Sequence, residues 1–485
     1  MLKKNNGLNS MKRCSHIFIL LSLLITVSCS SIFTGSPSLF TDPDQLPHST
    51  LRFSPPKAQR VVLENGIILH VLEDHEIPLV NISAVIRTGS AYEPIGKEGL
   101  ADLTGNVLKT GGTISLSGNS VDEALEFIAG QLTVSINRDS GTFNLSVMKK
   151  DVDAGLKILS DIFQHPTFEN EKLNLSKALK IEDLRRIADD PKKLAFREFN
   201  RLMYRNNPRG RLPNMASIEK IQRSDLVVFH RSFFYPANVM MTATGDISRE
   251  EAIKKMNQYF GRWKTSGAEK HMVPAPEKQT GRIYFLSKDV PQSIIIHGNL
   301  APAKKDTDAY AFEVLDFILG SGGFRSRIFQ EVRSNRGLAY SAGSFYRGKT
   351  DYGIFGAYAI TGSASTSTVL SLIRSIIDDI RHKSISEYEL DWAKKAINNS
   401  FIFSFLLARQ IAEQQMMNEY EKLPDDYLVT YRDNITKVRA GDVRNVAERY
   451  LSFDNAVVLV LGNEKIYQSL KSAFGDIQKL EAPCD

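Results

Sequence analysis

At 485 residues the chain is long enough for two to four domains, each with a core of its own. Hydrophobic residues at 42% and charged residues at 24% are the proportions of an ordinary water-facing globular protein. The excess charge of +6, from 61 basic and 55 acidic residues, is thinly spread with no aromatic-interleaved basic run, so nothing argues for nucleic acid as a partner. The three cysteines, Cys14, Cys29 and Cys484, imply no disulfide framework.

Lys12 and Arg13 lead into eleven apolar-rich residues, Ile17 to Val27, followed by Ser28-Cys29-Ser30. That order is a secretory signal over residues 1–29, and Met11 would serve as its start. Eleven residues are too few to cross a hydrocarbon core of roughly 30 Å as a helix. Thr26-Val-Ser-Cys29 resembles a bacterial lipobox, with Thr26 where leucine is usual. The resemblance implies lipidation at Cys29 and a membrane anchor on the periplasmic side of a bacterial envelope. The alternative is an ordinary cleaved signal with an incidental cysteine. Residues 30–56, rich in Ser, Pro and Thr, read as a flexible tether.

The body divides into halves over residues 57–265 and 280–480, joined by a charged, proline-bearing linker over 266–279. In the first half, Val61 to His70 and Leu79 to Thr88 pattern as strands. A helix follows from about Glu98 to Lys109, with Leu100, Leu103, Val107 and Leu108 on one face and Gly111-Gly112 at its end. Ser120-Val-Asp-Glu123 reads as a capping box opening a helix from Ala124 to Gln131. Leu132 to Asn137 and Thr142 to Val147 form a hairpin around Asp139-Ser-Gly141, and helices follow over about 151–163 and 168–188. Each half ends alike. Asp225 to Tyr235 runs into Asn238 to Gly245, and Asp442 to Leu451 into Asn455 to Gly462: a helix, a turn, a buried strand from Asn to Gly, then an amphipathic helix. The expected fold is α+β, two duplicated halves, each a mostly antiparallel sheet with helices on one face.

One stretch brings a family into view. Arg87-Thr-Gly-Ser-Ala-Tyr-Glu-Pro-Ile-Gly-Lys-Glu-Gly-Leu-Ala-Asp102-Leu-Thr-Gly105-Asn106-Val-Leu-Lys-Thr-Gly-Gly-Thr113 resembles the first zinc segment of the insulinase/pitrilysin peptidases. Those enzymes carry GS-x-x-E-x-x-G-x-x-GLA and then His-x-x-Glu-His on a helix. Two histidines at i and i+4 share a helical face and one zinc, and the glutamate serves the metal-bound water as base. Here Asp102 stands for the first histidine, Gly105 for the base and Asn106 for the second histidine. Aligning on Asp189-Asp190-Pro191 puts Asp183 at the third ligand. The resemblance, which covers nearly the whole mature chain, therefore implies a lost zinc site with no catalytic residue in this chain. Weak metal binding at Asp102 and Asp183 is the remaining alternative, and makes the chain a metallopeptidase with altered ligands.

His70-Val-Leu-Glu73-Asp-His75 imitates a zinc motif with one residue inserted. On a strand that five-residue offset points the histidines opposite ways, so two surface histidines at a strand end are expected. There is no Gly-x-Ser-x-Gly elbow, and Cys484 falls in a tail. In the second half, Gly320-Ser-Gly-Gly-Phe-Arg-Ser-Arg-Ile-Phe-Gln-Glu-Val-Arg333-Ser-Asn-Arg336-Gly-Leu-Ala-Tyr340-Ser-Ala-Gly343 is similar to the family's signature GGG-x-x-SRLFQE-x-R-x-x-RGLAYS. That resemblance assigns substrate binding to Arg333 and Tyr340, which in the enzymes hold the substrate backbone near the zinc. Taken alone, Arg333 is a helix-surface charge, Tyr340 a strand residue and Arg336 a structural residue at the helix end. Gly320, Gly322 and Gly323 lack the Gly-Lys-Ser/Thr of a phosphate loop and read as a tight turn allowing close backbone approach.

A chain with the Arg/Tyr element and without the zinc residues looks like the inactive, substrate-binding subunit of a heteromeric peptidase. The implied partners are a peptide or unfolded polypeptide and a homologous subunit carrying the zinc. The other reading is a lipid-anchored peptide-binding or scaffold protein with no part in proteolysis.

Overall fold

The computed structural model describes residues 54–264 and 272–481, all within the compact unit Ser54–Asp485. The signal, Cys29, most of the tether, part of the linker and Cys484 lie outside the described residues. No described helix is long and apolar enough to cross a membrane.

The strands are β1 (Gln59–Val62), β2 (Ile68–Glu73), β3 (Leu79–Ile86), β4 (Gln131–Ile136), β5 (Gly141–Met148) and β6 (Val239–Gly245) in the first half. The second half holds β7 (Arg282–Ser287), β8 (Gln292–Ala301), β9 (Ala339–Gly348), β10 (Gly353–Gly362), β11 (Val457–Gly462) and β12 (Ile477–Leu480). They build two six-stranded sheets, ordered β1-β2-β6-β3-β5-β4 and β12-β7-β11-β8-β10-β9. The first is antiparallel except where β2 meets β6. The second is parallel where β7 meets β12 and β11, and antiparallel elsewhere. Strands β2, β6, β3, β5 and β4 hold the same places as β7, β11, β8, β10 and β9. The two Asn-to-Gly strands of the sequence, β6 and β11, thus sit at equivalent positions, and the α+β duplication stands.

Two local expectations need correction. Val61 to His70 is not one strand. Leu63 and Gly66 close a turn, Leu63 N–H donating to Ile67 O at 2.9 Å and Gly66 N–H to Leu63 O at 2.9 Å, with Gly66 at φ +95. Asn65-Gly66 is the hairpin signal that the apolar pattern concealed. The helix predicted from Ala124 begins at Gly118 and ends at Phe127, capped by Ser117, whose hydroxyl accepts from Ser120 N–H. Gln131 belongs to β4.

Each sheet packs its own half's helices on one face, while the opposite face receives a helix from the other half. In β3, Ile82, Ala84 and Ile86 enter the first core. Val85 points the other way, into a cluster with Met416 and Tyr420 of the helix Ala408–Tyr420. Reciprocally, Leu194, Ala195 and Phe199 of the helix Pro191–Met203 join Ile294, Ile296 and Leu459 of the second sheet. Asp190 caps that helix by accepting from Lys192 and Lys193 N–H, both at 3.0 Å, so the Asp-Asp-Pro used to align the chain marks a helix start. Because both faces are covered, β8 and β11 are buried almost without alternation.

Candidate functional site

The helix Leu100–Thr110 keeps Leu100, Leu103, Val107 and Leu108 fully buried, as its apolar stripe requires. Its N-terminus is held by a residue of the retained motif: Glu93 accepts from Gly99 N–H at 3.1 Å and Ala101 N–H at 2.8 Å. Burial pushes the Glu93 carboxyl up to about 7, although those two donors pull it down. Gly89 sits where a Cβ would stand 2.3 Å from Arg138 O, so only glycine lets this turn lie against the β4–β5 hairpin. The flanking motif therefore seats the helix, a role separate from the chemistry it accompanies in the enzymes.

At the metal positions the helix presents a different set of groups. Asp102 takes Lys180 Nζ, from the neighbouring helix Asn170–Arg185, at 2.5 Å. Gly105 is buried, and a Cβ there would meet Ile136 Cγ1 of β4 at 2.9 Å. Asn106 and Asp183 are exposed. Among the described residues no three His, Cys, Asp or Glu side chains gather closely enough to hold a metal ion. A carboxylate already bound by an ammonium, an amide and no imidazole do not fit zinc.

The histidines of the imitation motif part company. His75 is exposed, with Nδ1 2.6 Å from Asp246 Oδ1 and Nε2 3.3 Å from Glu73 Oε2. His70 is not the surface residue expected. It lies buried in β2 under the helix Ala408–Tyr420, its Nε2 3.0 Å from Glu419 Oε2, and burial lowers its pKa against the pull of that carboxylate.

In the second-half motif, Gly320 makes the close approach expected of it: a Cβ would stand 2.2 Å from Ser344 N. Arg327 forms a two-pronged pair with Glu389, Nε to Oε1 at 2.7 Å and Nη2 to Oε2 at 2.9 Å. The segment Phe329–Ser334 winds with the wider π spacing, Asn335 N–H reaching Gln330 O at 2.8 Å, where an α-helix was expected. Arg333 emerges from it and lies over two rings, 4.9 Å from the centre of Phe329 and 5.6 Å from that of Tyr340. Tyr340 is 75% exposed. Arg333 and Tyr340 thus form one exposed unit, with Phe324 edge-on to Phe329 beside it. Arg336 pairs loosely with Glu331 at 3.5 Å.

Sequence reasoning missed the cleft between the halves. A cavity of about 590 Å³ is walled by the β4–β5 turn and residues 209–213 on one side and by the far end of β9 on the other. Asp139 fastens the two sides, accepting from Arg209 Nε at 2.7 Å and from the Tyr352 hydroxyl at 2.8 Å. The Asp139-Ser-Gly turn was legible only as a hairpin, because its partners lie 70 and 213 residues away.

These features define a duplicated α+β protein whose halves enclose a cleft beside the helix Leu100–Thr110. Residues 70–213 match the family model described as insulinase (peptidase family M16), and residues 220–397 the model described as the peptidase M16 inactive domain. The chain belongs to the M16, or insulinase, family. It is 23% identical over 411 residues to an uncharacterized zinc protease of Rickettsia bellii (strain RML369-C), covering 82% of this chain and 96% of that one. It is similar in fold to the peptidase M16 inactive domain from Pseudomonas fluorescens, with a TM-score of 0.77 and 22% identity over 84% of this chain and 98% of that one. The periplasmic protease PqqL from Escherichia coli matches with a TM-score of 0.73 and 15% identity, over 88% of this chain and 48% of PqqL.

Proposed function

We propose that this chain is the non-catalytic, substrate-holding subunit of a two-chain zinc peptidase, exported and held at a bacterial membrane through a lipid on Cys29. The observation that carries the reading is a contrast between its two motifs. At the metal positions the carboxylate on the helix, Asp102, is closed off by Lys180 at 2.5 Å, and Asp183 stands exposed with no histidine among the described residues to share a metal with. Arg333 and Tyr340, by contrast, stand exposed and stacked, with no salt bridge or side-chain hydrogen bond to another residue among the described residues. A planar guanidinium suits a peptide carbonyl, and a phenol can donate to the oxyanion that forms on attack. Both would complete a site whose zinc and base come from a homologous partner. Export is supported by the signal-like N-terminal sequence and by the periplasmic location in the name of one structural neighbour.

The test combines the mature chain with a homologue from the same genome that carries His-x-x-Glu-His. Alone, this chain is expected to hold no stoichiometric zinc by elemental analysis and to cleave no peptide. Together the pair should cleave, and Arg333→Ala or Tyr340→Phe should lower the rate by about tenfold or more, the scale of a lost transition-state donor. Unchanged rates with both variants would overturn the roles given to these residues. Failure of every such homologue to associate would favour a scaffold outside proteolysis.

A further inference from the structure

The cleft between the halves carries a charge pattern that the division of labour above does not explain. Six cations line it: Arg138, Lys180, Arg209, Arg211, Arg347 and Lys349. Three acids face them, of which Asp102 is engaged by Lys180 and Asp139 by Arg209. The third, Glu93, spends its oxygens on backbone N–H groups. Burial raises its carboxyl, so it gives Arg211 only part of a counter-charge, and no hydrogen bond or ion pair joins the two. Among the described residues, Arg138, Arg211, Arg347 and Lys349 are therefore left with no carboxylate partner in hydrogen-bond range, Arg211 reaching only the backbone oxygens of Pro208 and Ala91 at 3.4 Å.

Two of the four are also fixed in place. The Arg138 guanidinium lies 4.6 Å from the centre of the Tyr204 ring, and that of Arg347 lies 5.2 Å from the Phe345 ring. Stacking of this kind holds the plane of the guanidinium while leaving its in-plane N–H donors open to an anion. Arg138 comes from the first half and Arg347 from the second, so an anion between them touches both walls. The cleft also offers apolar surface at Ile136, Leu212, Pro213 and Ile354. A small inorganic anion would leave that surface bare. A peptide with carboxylate and apolar side chains in close succession would use both, and the cavity volume lies within the roughly 300–1,000 Å³ of ligand pockets.

We propose that the cleft between the halves selects an acidic, apolar-interspersed stretch of polypeptide, with Arg138, Arg211, Arg347 and Lys349 receiving its carboxylates. The proposal rests on the peptide-holding reading above and adds its specificity. It places acid recognition about 23 Å along β9 from Tyr340, by the rise of seven strand residues to Arg347. One segment of an extended substrate would be anchored in the cleft while another lies at Arg333 and Tyr340.

The test is fluorescence anisotropy on the full mature chain with three labelled octapeptides, end-blocked and alternating leucine with glutamate, glutamine or lysine. The glutamate peptide is expected to bind at least about tenfold more tightly than the glutamine peptide, and to weaken as salt is raised. The double variant Arg347→Gln/Lys349→Gln, at exposed positions, should lose that advantage, the glutamate and glutamine peptides then binding about alike. Lys395→Gln, on the exposed side of the helix Glu387–Ile402, should change neither. Equal binding of the glutamate and glutamine peptides, or no effect of the double variant, would overturn acidic selection while leaving peptide holding intact. No binding by any of the three would bring down both. Displacement of the glutamate peptide by inorganic phosphate at lower concentration than by the unlabelled peptide would make the cleft a phosphate site and refute the proposal.

Discussion

Gly298→Ala is expected to weaken the protein, although alanine suits a strand better than glycine. Gly298 lies in β8 on the face that receives the helix Pro191–Met203, and an added Cβ would stand 2.3 Å from Phe199 Cζ and 2.6 Å from Cε2. In an open strand the substitution would gain about 0.5–1 kcal/mol from reduced chain entropy. Here the ring is 1% exposed and closely packed, and relieving such overlap costs about 1–3 kcal/mol, so the net loss should centre on about 1 kcal/mol. Phe199→Leu alone should cost a similar amount, roughly 1–2 kcal/mol, for the ring carbons withdrawn from the core. In the double variant the shorter side chain vacates the space the new methyl needs. The combined loss should then fall short of the sum by about 1 kcal/mol or more. Urea unfolding followed by far-ultraviolet circular dichroism, run on all four proteins, measures the cycle. A midpoint for Gly298→Ala equal to or above that of the parent would refute the reasoning, as would losses that add within about 0.5 kcal/mol.

Two further outcomes follow from the motifs. Because the Glu93 carboxyl is pushed up to about 7, chiefly by burial, the folded chain keeps a proton that the unfolded chain gives up. Its contribution is present below about pH 4.5 and lost as pH rises through about 7; Glu93→Gln should flatten that decline, and urea midpoints of both proteins across the window with equal slopes would contradict it. Arg327→Lys keeps the charge but loses the fork on Glu389, so thermal unfolding should show a loss of about 1–2 kcal/mol. Once folded, this variant should support a zinc-bearing partner as well as the parent does, in contrast to Arg333→Ala.

The parts of the fold that were legible share a cause: they are governed by neighbours in sequence. The helix from Leu100, the β4–β5 hairpin and the paired Asn-to-Gly strands all announce themselves through period and punctuation. The misplaced cap at Ser120 was a competition between two serines that pattern alone could not decide, and Ser117 won. The π winding beneath Arg333 has no sequence period of its own. Arg333 and Tyr340 could be singled out because the family carries them as a motif, whereas the cleft cations are scattered from Arg138 to Lys349 and meet only through the tertiary fold. His70 was misread for the same reason: its surroundings are built by a helix more than three hundred residues later.

The exchange of helices between the sheets has a bearing on how the chain came to be and how it can be used. Had the halves merely been strung together, either could be cut free and kept as a stable piece. As built, a severed first half would bare Val85 and Met240, and a severed second half would bare the strip around Ile294, Ile296 and Leu459. Each fragment would be sticky until it met its counterpart. That interdependence sets the spacing of the cleft walls by packing of each sheet against the other half's helix. If the two-chain reading proposed above holds, admission of a long polypeptide would depend on a second chain arriving or leaving, which would make concentration, not flexing, the gatekeeper.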